Sequence, residues 1–164
     1  MADLTYDNVA TERRPQAGTV AGKGDAHNVK TLITATIELA TTASGQTIKF
    51  GRIPSNARLS GRGRVYWDDL ATSGSPTLDM GLGSVGSNIT SDPDALSNGH
   101  ALSTADAEGV PIVGDIANIG LPAWDFVNGQ ASDPKGELEV YGTIKDATTN
   151  ATGTVTVELY GYLD

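Results

Sequence analysis

The stretch Thr154-Val155-Thr156-Val157-Glu158-Leu159-Tyr160-Gly161-Tyr162-Leu163 alternates apolar and polar side chains almost without a break. One face of this stretch is apolar and carries Val155, Val157, Leu159 and Leu163. The other face carries Thr154, Thr156, Glu158, Tyr160 and Tyr162. A period of two predicts a β-strand with one buried face.

The same alternation predicts strands elsewhere in the chain, with little helical signal between them. These strands cover residues 32–39, 47–50, 59–67, 77–82 and 137–144. The polar loop 146–153 predicts that the last two strands form an antiparallel hairpin. Asp92 could cap a helix whose first turn contains Pro93, which predicts a short helix there. Residues 98–106 are predicted to be either a short helix or a loop. Residues 111–116 and 121–127 are predicted as brief strands or strand–loop transitions.

Composition indicates a single all-β domain of the antiparallel β-sandwich class, jelly-roll-like in its connections. The chain has 164 residues, 20 glycines and no cysteine, which excludes disulfides and thiolate metal sites. There is no apolar run long enough for a membrane helix, and the polar N-terminus does not resemble a signal peptide. The net charge of -9 disfavours nonspecific nucleic-acid binding, so neither nucleic acid nor membrane is expected as a partner.

Residues 1–30 are predicted to form an extended N-terminal arm, and residues 31–164 a single β-sandwich domain. The arm region has few apolar side chains and contains Pro15 and three glycines, so it cannot bury enough surface to order itself. It is either a mobile terminus or an arm that orders on a neighbouring subunit.

No catalytic residue, metal ligand or cofactor site is predicted, and the protein is not expected to be an enzyme. His27 and His100 are interpreted as exposed loop residues, because no nucleophile motif accompanies them. The carboxylates of residues 92–94 and 68–69 fit capping or solvation better than a calcium site. The glycines of residues 81–86 lack the following helix that a dinucleotide site requires.

Six residues are the candidates for contact with a partner protein. Arg62, Arg64 and Tyr66 would share one face of the strand 59–67, and their charge suits the acidic groups of a partner protein. Trp124 follows Leu121-Pro122 and would reach a neighbour from a loop, or serve as a carbohydrate platform. The remaining two candidates lie in the arm and are Arg13 and Arg14.

Four segments resemble the capsid decoration, or cement, proteins of tailed bacteriophages. They are Gly51-Arg52-Ile53-Pro54-Ser55-Asn56-Ala57-Arg58-Leu59, Thr77-Leu78-Asp79-Met80-Gly81, Asp92-Pro93-Asp94-Ala95-Leu96 and Gly153-Thr154-Val155-Thr156-Val157-Glu158-Leu159. The resemblance covers most of the chain after residue 31, and the long polar arm departs from it.

The resemblance implies a virion structural protein, made in the host cytoplasm and placed on the outer surface of the capsid. Such proteins form β-sandwich homotrimers that bridge neighbouring major capsid protein subunits and oppose the pressure of packaged DNA. The family has no catalytic residues to carry over and needs no cofactor. The alternatives are another minor head or tail protein, and a carbohydrate-binding β-sandwich module.

Overall fold

The computed structural model describes residues 29–86 and 89–163, and this part of the chain forms nine β-strands and two short 3-10 helices. In chain order the strands are β1 (Lys30–Leu39), β2 (Thr47–Pro54), β3 (Arg58–Leu59), β4 (Arg64–Trp67), β5 (Thr77–Ser84), β6 (Asp92–Ala101), β7 (Asp106–Pro111), β8 (Glu137–Lys145) and β9 (Gly153–Tyr162). The 3-10 helices, Ile116–Asn118 and Ala123–Phe126, lie between β7 and β8. No helix in the described residues is long and apolar enough to cross a membrane.

The strands form two antiparallel sheets, which confirms the prediction of an all-β sandwich. Sheet one has the order β1-β9-β4-β7, with the short β3 also paired to β9, and sheet two has the order β2-β8-β5-β6. The jelly-roll description stays a prediction. It is supported by the way the chain passes back and forth between two four-stranded layers when β3 is left aside.

The core lies between the inner faces of the two sheets. On β9 the side chains of Val155, Val157 and Leu159 are fully buried, as their alternation predicts. Leu138 and Val140 on β8 oppose them from sheet two and are also fully buried. Each such side chain contributes on the order of 1.5–3 kcal/mol through the removal of apolar surface from water.

The two ends of the sandwich differ in construction, and we name them the loop end and the terminal end. The loop end holds four connections, which are residues 40–46, 68–76, 102–105 and 146–152. Backbone hydrogen bonds join them: Thr149 N donates to Thr42 O at 3.0 Å, and Leu70 N donates to Leu102 O at 2.9 Å. The terminal end holds the start of β1, the end of β9 and the connections 55–63 and 112–136. Residues 1–28 lie outside the described residues, so the arm over 1–30 stays a prediction, although Lys30 belongs to β1.

The predicted hairpin of the last two strands is wrong, because β8 and β9 belong to different sheets. β8 pairs with β2 and β5, whereas β9 pairs with β1, β3 and β4. Residues 146–152 therefore cross from one sheet to the other. A period of two reports which face of a strand is buried, but it does not report which strand is its neighbour.

The predicted helix at Asp92 is also wrong, because residues 92–101 form strand β6 on the edge of sheet two. Its pairing with β5 contains two register shifts, which conceal the alternation from a reading of the sequence. Leu96 is buried in the core and holds the strand in place. Pairing with β5 therefore overrides the local capping signal of Asp92 and Pro93.

Two other predicted strands have different bounds. β2 continues through Gly51 to Pro54, and the predicted strand 59–67 is divided into β3 and β4 by a turn. Residues 121–127 contain a 3-10 helix, Ala123–Phe126, and form no strand. Of residues 111–116, Pro111 ends β7 and Ile116 begins the other 3-10 helix. Ile112 and Val113 are nevertheless buried, so these apolar residues fill the core from a loop.

Candidate functional site

The structure separates the residues predicted to contact a partner. Arg64 and Tyr66 lie on the outer side of β4, with Arg62 in the turn that precedes this strand. Trp124 lies in the second 3-10 helix at the terminal end, and Arg13 and Arg14 lie outside the described residues.

Arg64 and Tyr66 belong to a hydrogen-bonded polar surface on the outer face of sheet one. The hydroxyls of Tyr66 and Tyr160 both donate to Glu158 Oε2, at 3.2 and 3.4 Å. The Arg64 guanidinium donates to the carbonyl oxygen of Gly109 at 3.0 Å. Desolvation and the hydrogen bond to Glu158 raise the pKa of Tyr66 above its ordinary value, so its hydroxyl remains a donor at neutral pH. This face carries tyrosine, threonine and charged groups, a composition suited to contact with a protein surface.

Trp124 is largely engaged within the molecule. Its side chain is half-buried and packs against the core, and its backbone N–H donates to Ser55 O at 3.0 Å. This packing holds the connection 112–136 against the terminal end. It leaves only part of the indole ring accessible to a partner or to a sugar.

Two exposed apolar side chains were missed by the sequence reasoning. Ile119 and Leu163 are 44% and 40% exposed, and both lie at the terminal end. The alternation of 154–163 places Leu163 on the inner face, but β9 ends at Tyr162 and Leu163 lies beyond the core. Ile119 stands in a connection with no periodic signal, so only the fold reveals its exposure.

His100 does not lie in an exposed loop, as predicted, but is half-buried on β6. Its Nε2 lies 2.8 Å from Ser97 Oγ, and its ring lies 5.6 Å from the ring of Trp67 between centroids. Burial lowers the pKa of His100, although the negative charges of Asp79 and Asp106 act in the opposite direction and raise it. The Asp79 carboxylate accepts from Gly99 N at 2.8 Å and lies 3.9 Å from Lys145 Nζ. These contacts fit a role in joining β6 to the core.

A shallow depression of about 180 Å³ lies on the outer face of sheet two. It is lined by Lys49 and Glu139, whose charged atoms are 2.8 Å apart, and by Ser91 and Tyr141. Burial and the carboxylates of the adjacent β6 raise the pKa of Tyr141, so its hydroxyl stays protonated. Within the described residues, no group of three or more His, Cys, Asp and Glu side chains could hold a metal ion.

Comparison with known proteins shows a similarity of fold. No protein-family model matches the chain, and no curated protein matches it in sequence. A chain of the cyanophage Pam1 capsid asymmetric unit is similar in structure, with a TM-score of 0.54 and 20% sequence identity. The similarity covers 93% of this chain and 95% of that chain, and it is a likeness of fold.

Proposed function

We propose that this chain is a structural protein of a phage virion that decorates and stabilises the outer surface of the capsid. The observation that carries the proposal is the likeness of fold to a chain of a cyanophage capsid asymmetric unit, over 93% of this chain. The four sequence segments that resemble capsid decoration proteins support the same assignment independently of the fold.

The mechanism is one of binding without a chemical step. A two-sheet body with a packed core is a rigid block that can bridge neighbouring major capsid protein subunits. A homotrimer would present three copies of each contact surface, and simultaneous contacts on a lattice convert modest affinities into high avidity. The proposal assigns the protein no catalytic activity, no cofactor, and no direct contact with nucleic acid or membrane.

The direct test is cosedimentation of the purified protein with expanded, decoration-free capsids of its source phage. We expect saturable binding at a fixed ratio of copies to major capsid subunits, and a trimer by analytical ultracentrifugation. A ratio of about one copy per subunit would suit trimers at local three-fold positions. Absence of binding would overturn the proposal and favour another minor head or tail protein, or a carbohydrate-binding module testable by glycan screening.

Deletion of residues 1–27 tests the role proposed for the arm. We expect the shortened protein to keep its far-ultraviolet circular dichroism spectrum and to bind capsids more weakly. The strand β1 starts at Lys30, after the deleted segment, so all the described strands remain in the shortened protein. Unchanged capsid binding would rule out the arm as a contact element.

A further inference from the structure

A compact set of basic and apolar side chains lies where the arm joins the sandwich. We name it the basic corner and define it as Lys30, Arg58, Arg62, Ile119 and Leu163. Four chain segments bring these residues together. Lys30 pairs with Gly161 at the start of β1, and Arg58 pairs with Tyr162, which precedes Leu163.

The other side of the basic corner is held by the connection 112–136. The Arg58 guanidinium donates to Gly120 O at 2.9 Å, and Leu59 N donates to Leu121 O at 3.0 Å. Ile119 lies over Gly61, where an added Cβ would come within 3.2 Å of Ile119 Cγ1. Arg62 follows Gly61 directly in the chain, so all five residues lie at the terminal end of sheet one.

The composition of the basic corner is that of a protein interface. Among the side chains that the structure describes, Ile119 and Leu163 are the large apolar ones that are exposed. Lys30, Arg58 and Arg62 are exposed around them. Apolar groups surrounded by arginine are typical of the energetically important part of an interface.

The loop end has the opposite electrostatic character. Glu38, Asp68, Asp69 and Asp146 are exposed there, close to the half-buried Asp106. Lys145 is a basic residue beside these carboxylates, and its Nζ lies 3.9 Å from Asp79 Oδ2. An acidic partner surface would be repelled by the loop end and attracted by the basic corner.

We infer that the basic corner docks on an acidic, partly apolar surface of the capsid shell protein, with the loop end directed away from the shell. The inference rests on the proposed function and specifies the orientation of the molecule. Strand β1 starts at Lys30, so the predicted arm is continuous in sequence with the basic corner.

The test compares capsid cosedimentation of the full chain with two charge-reversed variants. Arg62→Glu changes an exposed base in the basic corner, and Lys145→Glu makes the same change in charge at the loop end. We expect Arg62→Glu to weaken binding on the order of tenfold and Lys145→Glu to change it less than about twofold. Ile119→Ser, which leaves the charge unchanged, should also weaken binding, and thermal melting of each variant checks that it is folded.

The outcomes separate this inference from the proposed function. If the wild-type protein binds capsids and the Arg62→Glu and Ile119→Ser variants bind equally well, the orientation is wrong and the proposed function stands. Equal weakening by Lys145→Glu would also overturn the orientation, since binding would then follow overall charge. A change of oligomeric state in Arg62→Glu, with capsid affinity per protomer unchanged, would make the corner a contact between copies and contradict the inference. If the wild-type protein does not bind capsids, both proposals fail.

Discussion

At Gly81 the backbone of β6 passes very close to β5. A Cβ built on Gly81 would lie 2.6 Å from Pro93 Cα, well inside the range of ordinary contacts. The neighbour is backbone, which cannot rotate away as a flexible side chain can. Glycine at this position therefore fixes the path of an edge strand.

Replacement of Gly81 by alanine should destabilise the fold by about 1–3 kcal/mol, the usual cost of overpacking. Gly114→Ala is the matched control, because nothing lies within 4 Å of an added Cβ there. The control should stay within about 0.5 kcal/mol of the wild type in urea unfolding. Equal stability of the two variants would contradict the close crossing of β6.

Two buried threonines should respond oppositely to replacement by valine. Thr149 Oγ1 accepts from Thr42 N and donates to Ala40 O, both at 2.9 Å, whereas Thr143 Oγ1 is buried with no hydrogen-bond partner among the described residues. Thr149→Val should cost about 1–3 kcal/mol, since it leaves backbone groups unsatisfied. Thr143→Val should be neutral or stabilising. Urea unfolding of both variants measures the difference, and equal losses would contradict these hydrogen-bond assignments.

His100 should make stability depend on pH in the neutral to mildly acidic range. Burial lowers its pKa in the folded state below the ordinary value of 6.5, so the unfolded chain binds its proton first as the pH falls. Stability should therefore decrease as the pH is lowered through this ordinary value.

The measurement compares Tm between neutral and mildly acidic pH for the protein and for His100→Gln, with His27 replaced by glutamine in both. The His100→Gln variant should lose less Tm over this range. If both proteins show the same pH dependence, His100 does not carry the effect. The carboxylates Asp68 and Asp133 have lowered pKa values, so their contributions are lost only at more acidic pH.

The strands differ in their protection by neighbours. β9, β4, β8 and β5 each lie between two other strands, whereas β6 and β7 lie at sheet edges, where their pairings contain register shifts. Amide groups of interior strands exchange only in large unfolding events, while edge strands open locally.

Hydrogen exchange followed by mass spectrometry should therefore show slow exchange in peptides from β8 and β9, and faster exchange in β6 and β7. The comparison needs no substitution, because each strand is measured in the same sample. Protection of β6 equal to that of β9 would mean that its edge is covered in solution.

The strands that can be predicted from the sequence are those in which apolar and polar side chains alternate without interruption. β1, β5, β8 and β9 were predicted within about two residues at each end, because large apolar side chains alternate with polar or small ones along each of them. β6 and β7 were missed, since bulges and glycines interrupt their period. Of the candidate site, Arg62 was predicted on a strand face with Arg64 and Tyr66, but it lies exposed in the turn before β4. The exposure of Ile119 depends on how a long connection folds back.

At the scale of the whole molecule, the two sheets share one core and should unfold together. Trp67 is buried near the loop end, and Trp124 packs against the core at the terminal end. In a Trp124→Phe variant, the fluorescence of Trp67 should follow the same urea curve as the circular dichroism signal. Separate curves would mean that the loop end unfolds independently.

The central position of β9 in sheet one has a consequence for synthesis. β9 lies between β1 and β4, although it comes more than 80 residues after β4 in the chain. While a ribosome is still translating β8, the two strands that flank β9 have no partner between them. Sheet one can close only after residues 153–162 have left the exit tunnel, so its folding follows the synthesis of β9. During that interval the nascent chain exposes two strand edges, which are the surfaces that a chaperone would need to shield.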